Sequence, residues 1–303
     1  MQQRAPLVTV IIPTYKRPNA LDGVLASVRA QTYPNIRVLI SDDASPDNTF
    51  EVCQRLIQEN QDMDIRYRRN PQNRREYRNV NSAFAECAGT KYVAVLQDDT
   101  RYVDPDWIQI AVNVMESEPE ASYAAGHYHD SGGRLVNLWD KDIIVDGKVF
   151  WRNWIQVWCF WPTCLFRYER LAEIGFLDTS LYSQGDTLLL LKAALIGKVI
   201  LINRLVLEDG YQKTSGTYDE YYKDIPALFQ ENEACAHSAA AFALLCGIPE
   251  NLAYDWYLYR MGAEAANCLA KCKDGAILAK LLEVIERYDP RIPVAMQQWV
   301  NRK

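Results

Sequence analysis

The chain has 303 residues, of which 49% are hydrophobic and 24% are charged, and its formal net charge is −6 at pH 7. This length suits one large domain or two smaller ones, and the negative charge argues against a nucleic-acid-binding protein, which needs a positive face. No apolar stretch reaches the about 20 residues of a membrane span, and the N-terminus lacks the apolar region of a secretion signal, so we expect a soluble, cytoplasmic protein without a transmembrane segment.

The first hundred residues alternate between short apolar runs and amphipathic stretches. The runs are rich in β-branched and aromatic residues and predict strands at 8–12, 36–40, 65–67 and 92–96. Between them, apolar residues spaced three and four apart predict helices at 20–31, 49–59 and about 78–88. Alternating strands and helices form βαβ units, so the sequence predicts an α/β fold with a mostly parallel sheet flanked by helices.

The regular alternation is lost after residue 100. Apolar runs still predict strands at 122–129 and 199–202 and helices at 166–174 and 185–196. From residue 224 the pattern is helical to the end of the chain. We therefore divide the chain into an α/β domain, 1–223, and a helical C-terminal extension, 224–303. The apolar faces of these helices leave open a homo-oligomer formed through the extension.

Acidic residues follow two of the predicted strands. Asp98 and Asp99 end the strand at 92–96, and Asp43 ends the strand at 36–40. Ligands of an open parallel sheet bind outside the carboxyl ends of its strands, so these carboxylates are expected in one crevice. Oxygen ligands of this kind suit Mg²⁺ or Mn²⁺ that carries a substrate phosphate. The alternative is that the aspartates only form turns.

Five stretches, in this order, resemble motifs of glycosyltransferase family 2, whose members have the GT-A fold and are inverting, nucleotide-sugar-dependent enzymes. They are VTVIIPTYKR at 8–17, QTYP at 31–34, ISDDAS at 40–45, YVAVLQDD at 92–99 and GD at 185–186. The adjacent acids at 98 and 99 are similar to the spore-coat polysaccharide type of this family, whereas the commoner pattern is D-x-D. A second departure is NRR at 73–75, where the family usually has Asn-Leu-Gly.

The resemblance implies a role for each matching residue. The residues expected at the nucleotide are Pro13, Thr14, Tyr15, Arg17, Asp43 and Asp98, of which Asp43 would accept a hydrogen bond from uracil and Asp98 would face the ribose. Asp99 would bind the metal, Mn²⁺ or Mg²⁺, and Asp186 would be the general base.

The implied reaction moves a sugar from a nucleotide-sugar donor, expected to be a UDP-sugar, to a hydroxyl of a saccharide or glycoconjugate acceptor. Asp99 would hold the metal that assists the leaving group, and one displacement would invert the anomeric centre. The implied process is the synthesis of cell-surface polysaccharide or glycoconjugate. It leaves open a peripheral contact with a membrane.

Several residues also have a structural interpretation. Asp186 precedes an apolar run, as a helix N-cap does, and Asp178, the second candidate base, is typical of a turn. Six arginines between residues 66 and 78 contact either a diphosphate or anionic acceptor or only solvent. Four tryptophans between residues 151 and 161 either bind sugar or pack.

Two other functions remain open from the sequence. A nucleotidyltransferase has a similar sheet, but such enzymes usually open with a glycine-rich phosphate loop, and residues 13–17 contain no glycine. A non-catalytic nucleotide-sugar-binding protein is the second alternative. Intact acids at 43, 98, 99 and 186 argue against it.

Overall fold

The computed structural model describes residues 5–130, 132–136, 138–209, 224–272 and 274–301. Within these residues ten strands form one sheet. The strands are β1 (Val8–Thr14), β2 (Ile36–Asp42), β3 (Asp64–Arg69), β4 (Tyr92–Val95), β5 (Thr100–Tyr102), β6 (Ala121–His129), β7 (Leu135–Val136), β8 (Ile143–Asp146), β9 (Cys164–Arg167) and β10 (Lys198–Asp209).

Helices cover both faces of the sheet and make up the C-terminal part of the chain. They are α1 (Leu21–Arg29), α2 (Thr49–Glu59), α3 (Glu76–Phe84), α4 (Trp107–Ser117), α5 (Gly147–Arg152), α6 (Tyr168–Glu173), α7 (Gly185–Leu195), α8 (Ile225–Leu245), α9 (Glu250–Lys271), α10 (Gly275–Tyr288) and α11 (Ile292–Val300). Among the described residues, none of these helices is both long and apolar enough to cross a membrane.

The strand order is β3-β2-β1-β4-β9-β6-β10-β5, with β7 paired to β6 and β8 to β10. The four neighbouring strands β3, β2, β1 and β4 are all parallel to one another. Strand β9 runs antiparallel to β4 and β6, β10 is parallel to β6, and β5 is antiparallel to β10. Thus β1 to β4, β6 and β10 share one direction, which confirms the predicted α/β fold with a mostly parallel sheet.

Alternating side chains of the central strands pack into two separate cores, as expected from the period of two in a strand. In β4, Val93 and Val95 belong to the core that also contains residues of α3 and α7. Ala94 and the following Leu96 belong to the opposite core, beneath α1 and α4. The first core continues without a break into α8 to α11. The helices after residue 224 therefore share a hydrophobic core with the sheet, and the two-domain division at residue 223 stays a prediction.

The helix predicted at 166–174 is wrong in its first part. Residues Cys164–Arg167 form strand β9, and only Tyr168–Glu173 is helical. The strand lies between β4 and β6. The last residue of β9 is Arg167. Its position is fixed because its buried guanidinium donates to the carbonyls of Ala121, at 3.0 Å, and Met115, at 2.8 Å. These are contacts distant in sequence, which local periodicity does not reveal.

Candidate active site

A cleft of about 900 Å³ opens at the carboxyl ends of β1, β2 and β4. It also receives side chains from α3, from the segment 179–184 before α7, and from α8. All the residues predicted for the site line this cleft, namely Pro13, Thr14, Tyr15, Arg17, Asp43, Asp98, Asp99 and Asp186. The fold thus brings together residues that are up to 173 positions apart, from Pro13 to Asp186 (186 − 13 = 173).

Asp43 is a buried carboxylate directly after β2. Its Oδ1 accepts a hydrogen bond of 2.7 Å from Nδ2 of Asn70. The backbone N–H of Arg74 donates to both of its oxygens, at 2.9 and 3.0 Å. Its own backbone N–H donates to the carbonyl of Thr14, which ties the end of β2 to β1. These contacts fix the orientation of a carboxylate that still has acceptor capacity toward the cleft.

Asp98 and Asp99 share the guanidinium of Arg17. Nη1 of Arg17 lies 3.0 Å from Oδ1 of Asp98 and 2.6 Å from Oδ2 of Asp99. Burial raises the pKa of Asp98 to about 6; the charge of Arg17 opposes this shift, and the charge of Asp99 adds to it. Asp98 is the more buried of the two carboxylates, and Asp99 is partly exposed to the cleft.

The donor set suits a metal that substrate phosphates help to hold. Among the described residues no group of three or more His, Cys, Asp or Glu side chains is placed to hold an ion by itself. Mg²⁺ is, however, usually bound through one or two carboxylates together with water and substrate phosphates. Asp99, with Asp98 beside it, offers such a set. A metal ion bound to Asp99 would compete with the Arg17 guanidinium for the same carboxylate.

Asp186 lies in the first turn of α7, and the N-cap position itself is Gln184. Oδ1 of Asp186 accepts from the N–H of Thr187, at 2.8 Å, and from the hydroxyl of Tyr77, at 3.2 Å. Gly185 permits this approach, because a Cβ there would lie 2.6 Å from the Tyr77 ring. Desolvation raises the pKa of Asp186 to about 6 although these hydrogen bonds oppose the shift. The carboxylate therefore satisfies a helix end and also lines the cleft.

A residue of the C-terminal helices, Glu231 in α8, binds the chain just before α7. Its Oε2 accepts a hydrogen bond of 2.8 Å from the hydroxyl of Ser183. Its Oε1 accepts from the backbone N–H groups of Ser183 and of Gln184. This carboxylate therefore supports the helix start that carries Asp186. No sequence signal indicated it, because α8 is separated from α7 by the whole of β10 and residues 210–223.

Replacing Glu231 by Ala is expected to lower the free energy of unfolding by about 1–3 kcal/mol, because it leaves three donors at the start of α7 without their acceptor. Urea denaturation followed by circular dichroism measures this loss. The matched control is Glu283→Ala in α10, which removes an exposed ion pair with Arg287 and should change stability by less than about 0.5 kcal/mol. Equal effects of the two changes would contradict the assigned role of Glu231.

Glu76 is a second site residue that the sequence did not indicate. It begins α3 and accepts a hydrogen bond of 2.7 Å from Nε2 of Gln97. Desolvation by the walls of the cleft raises the pKa of Glu76 above its ordinary value, and the charges of Asp186, Asp99 and Asp98 act in the same direction. Glu76 is solvent-exposed on the cleft, so water screens part of this effect. It adds a further acid to Asp43, Asp98, Asp99 and Asp186 in the cleft, beside the arginines that were singled out in the sequence.

The tryptophan-rich stretch mainly packs. Trp151 stacks on Trp256 of α9 with ring centroids 4.3 Å apart, and Trp154 packs edge-on against Phe150. Trp161 lines the cleft, where its ring meets Tyr77 at 6.4 Å. The stretch is not one helical face, since α5 ends at Arg152. Of the four tryptophans, Trp161 is the one that lines the cleft, and its ring is itself buried.

Comparisons with known proteins identify relatives of both the sequence and the fold. The sequence model described as glycosyl transferase family 2 matches residues 9–175. The uncharacterized protein y4gI of Sinorhizobium fredii is 33% identical over 185 residues, which are 59% of this chain and 18% of that protein. Curated relatives are matched over 11–40% of their own lengths, so the chain spans less than half of them.

Two solved structures share the fold at low sequence identity. One is Staphylococcus aureus TarS 1–349 in complex with UDP-GlcNAc, with a TM-score of 0.75 and 15% identity over 95% of this chain and 83% of that chain. The other is the mannosyltransferase PcManGT from Pyrobaculum calidifontis in complex with GDP-Man and Mn²⁺, with a TM-score of 0.61 and 19% identity over 99% of this chain and 89% of that chain.

Proposed function

Because the chain belongs to glycosyltransferase family 2 and has the GT-A fold, we propose that it transfers a sugar from a nucleotide-sugar donor to an acceptor hydroxyl. The observation that carries this proposal is the single cleft shared by Asp43, the Asp98–Asp99 pair and Asp186. Asp43 suits a nucleoside, the Asp98–Asp99 pair suits a diphosphate with its cation, and Asp186 suits a reacting hydroxyl.

The donor we propose is a UDP-sugar. The oriented carboxylate of Asp43 can accept the N3–H of uracil, a group that cytosine lacks. Tyr15, which is 38% exposed, offers a ring at the same end of the cleft and can stack on a base. Of the two solved structures with this fold, TarS is in complex with UDP-GlcNAc and PcManGT with GDP-Man, so the choice of UDP rests on Asp43 and Tyr15.

The leaving diphosphate gains negative charge as the bond between sugar and phosphate oxygen breaks. Arg17, which lies between Asp98 and Asp99, can donate to phosphate oxygens, since a guanidinium matches their geometry. We propose that Asp99 holds Mn²⁺ or Mg²⁺, which when bound supplies Lewis-acid stabilisation worth several kcal/mol. The complex of PcManGT with Mn²⁺ supports this part of the proposal.

Asp186 is proposed as the general base. As the acceptor oxygen forms its bond to the anomeric carbon, its proton passes to a carboxylate oxygen of Asp186, and the nucleoside diphosphate leaves from the opposite face. A base in this position contributes typically ~10²–10⁴-fold to the rate. One displacement inverts the anomeric centre. The proposed acceptor is a saccharide or glycoconjugate of the cell surface.

The rate is expected to fall as the pH drops through about 6. The pKa of Asp186 is raised to about 6 by desolvation, and the negative charge of Glu231 adds to the shift. A base must be deprotonated to accept a proton, so activity should be low below pH 6 and should rise above it. Replacing Glu231 by Gln removes that charge and should move the half-maximal rate to lower pH. A kcat–pH profile that is flat between pH 5 and 7 would contradict this assignment.

Thermal-shift measurements against a panel of nucleotide sugars with Mn²⁺, followed by analysis of the released nucleotide, test the function. A UDP-sugar is expected to raise the melting temperature most, and turnover should release UDP. Release of pyrophosphate would instead indicate a nucleotidyltransferase. Nucleotide binding without turnover over a wide panel of acceptors would indicate a non-catalytic binding protein.

A further inference from the structure

The six arginines between residues 66 and 78 fall into two groups. The arginines at 66, 68 and 69 form ion pairs with Asp64, Glu86 and Asp42, at 3.1, 2.8 and 3.6 Å. The arginines at 74, 75 and 78 line the cleft instead, and none of them forms an ion pair with a carboxylate of the described residues. The solvated-surface interpretation therefore fits the first group and not the second.

Within the second group, Arg75 and Arg78 are the two arginines that we assign to a ligand of the cleft. Arg74 is used elsewhere, since its backbone N–H binds Asp43 and its guanidinium donates to Ser82 at 3.1 Å. Arg75 directly precedes α3 and Arg78 lies in its first turn, and both side chains line the same cleft. Two positive charges in one cleft favour the binding of an anion.

Arg75 is held in a backbone conformation that glycine normally occupies. Its φ is 67° and its ψ is 166°, a region that is essentially restricted to glycine. The chain therefore places a guanidinium at a backbone position that glycine would occupy without strain. Strained residues of this kind cluster at ligand sites, where the strain is part of the function. The charged side chain at this point is thus retained against a conformational cost.

The position of Arg75 in the cleft indicates which substrate it meets. Its guanidinium lies 4.8 Å from the centroid of the Tyr182 ring. Tyr182 belongs to the segment that leads into α7 and Asp186, so this is the side of the proposed base. The diphosphate end, with Arg17, lies at β1 and β4. The backbone of the preceding residue, Arg74, contacts Asp43 at the nucleoside end, whereas the Arg75 guanidinium itself lies on Tyr182. We assign an anion bound there to the acceptor because it would lie on the side of Tyr182.

We propose that Arg75 and Arg78 bind an anionic group, a phosphate or a carboxylate, that the acceptor carries near the hydroxyl that receives the sugar. The planar guanidinium groups match both anions through paired hydrogen bonds. Tyr182 adds a partly exposed ring against which the rest of the acceptor packs. This inference rests on the proposed function and specifies its acceptor class.

The experiment titrates inorganic phosphate into the full chain saturated with UDP and Mg²⁺, so that the donor diphosphate site is already filled. D-glucuronate and D-glucose are titrated in parallel, because they separate a carboxylate from a neutral sugar. The wild type is expected to bind phosphate or glucuronate, and not glucose. The changes Arg78→Gln and Arg75→Gly should each weaken that binding by about tenfold or more, as expected for loss of a charge-assisted contact, while UDP affinity stays unchanged.

Two variants separate lost charge from lost structure. Gly is the residue that best tolerates a positive φ, so Arg75→Gly should melt at the same or a higher temperature than wild type while binding the anion less well. Arg66→Gln removes the same charge from an arginine that is paired with Asp64 outside the cleft, and it should leave anion binding unchanged.

Three results would overturn the assignment. Anion binding that is absent in the UDP-saturated wild type, or equal in wild type and both cleft variants, would show that the pair binds no anion there. A fall of UDP affinity in Arg75→Gly or Arg78→Gln would assign the arginines to the donor diphosphate. Failure of UDP itself to bind would overturn the proposed function, and this assignment with it.

Discussion

Replacing Asp186 by Asn is expected to lower turnover by about 10²–10⁴-fold while UDP affinity stays close to that of wild type. The amide cannot accept the proton of the acceptor hydroxyl. Its Oδ1 can still accept from the N–H of Thr187 and the hydroxyl of Tyr77, as the carboxylate does. The fold of α7 should therefore persist, and the melting temperature should change little.

Calorimetry with UDP, thermal melting and steady-state turnover, measured on one preparation, separate the two roles of Asp186. A side chain that only satisfied the helix start would tolerate Asn with little loss of turnover. Asp178→Asn is the matched control. The Asp178 carboxylate accepts from the N–H and the hydroxyl of Ser180, at 2.9 and 2.6 Å, as in a turn, so this change should leave turnover within a few-fold of wild type.

Near-normal turnover in Asp186→Asn would rule out Asp186 as the base. The search would then move to Asp178, Glu208 and Asp209. Of these three, Asp209 lines the cleft at the end of β10 and would be replaced first.

Removing the metal, or replacing Asp99 by Asn, is expected to weaken UDP binding by roughly 10–100-fold or more, since changes even beyond the direct ligands of a metal commonly cost that much in metal affinity. Without a cation the diphosphate would face the carboxylates of Asp98 and Asp99, and the guanidinium that contacts both of them, Arg17, carries a single positive charge. Turnover should fall as well, because the leaving group would lose its Lewis acid.

Calorimetry of UDP binding with Mn²⁺ and after EDTA treatment measures this effect in the wild type. In Asp99→Asn, addition of Mn²⁺ should no longer increase UDP affinity. Asp62→Asn, which removes an exposed carboxylate paired with Arg29, controls for the change in net charge and should retain the Mn²⁺ dependence. Equal UDP affinity of the wild type before and after EDTA treatment would exclude a metal role for Asp99.

Much of the α/β framework could be predicted from the sequence because the signals are local. The runs at 8–12, 36–40 and 92–96 correspond to β1, β2 and β4, since buried parallel strands are continuous apolar runs. The predicted helices at 49–59 and 185–196 correspond closely to α2 and α7. The ends of these strands gave the positions of Asp43, Asp98 and Asp99, because parallel strands place their carboxyl ends at one edge.

Residues 73–75 depart from the family motif, so the shape of the loop that they form could not be predicted from the sequence. In the structure Arg75 has a positive φ of 67°, a conformation that glycine adopts more readily than arginine. A sequence pattern records only which residue is present. Whether the surrounding contacts can hold that residue in a strained conformation depends on the assembled fold.

The sequence by itself therefore determined the strand–helix order of the first hundred residues and the acids at their strand ends, since both follow from local hydrophobic periods. Only the tertiary structure decided that Cys164–Arg167 is a strand, that Glu231 of α8 supports the start of α7, and that Glu76 joins the acids of the cleft. The reason is that each of these depends on contacts between residues far apart in the chain, and local periodicity carries no information about such partners.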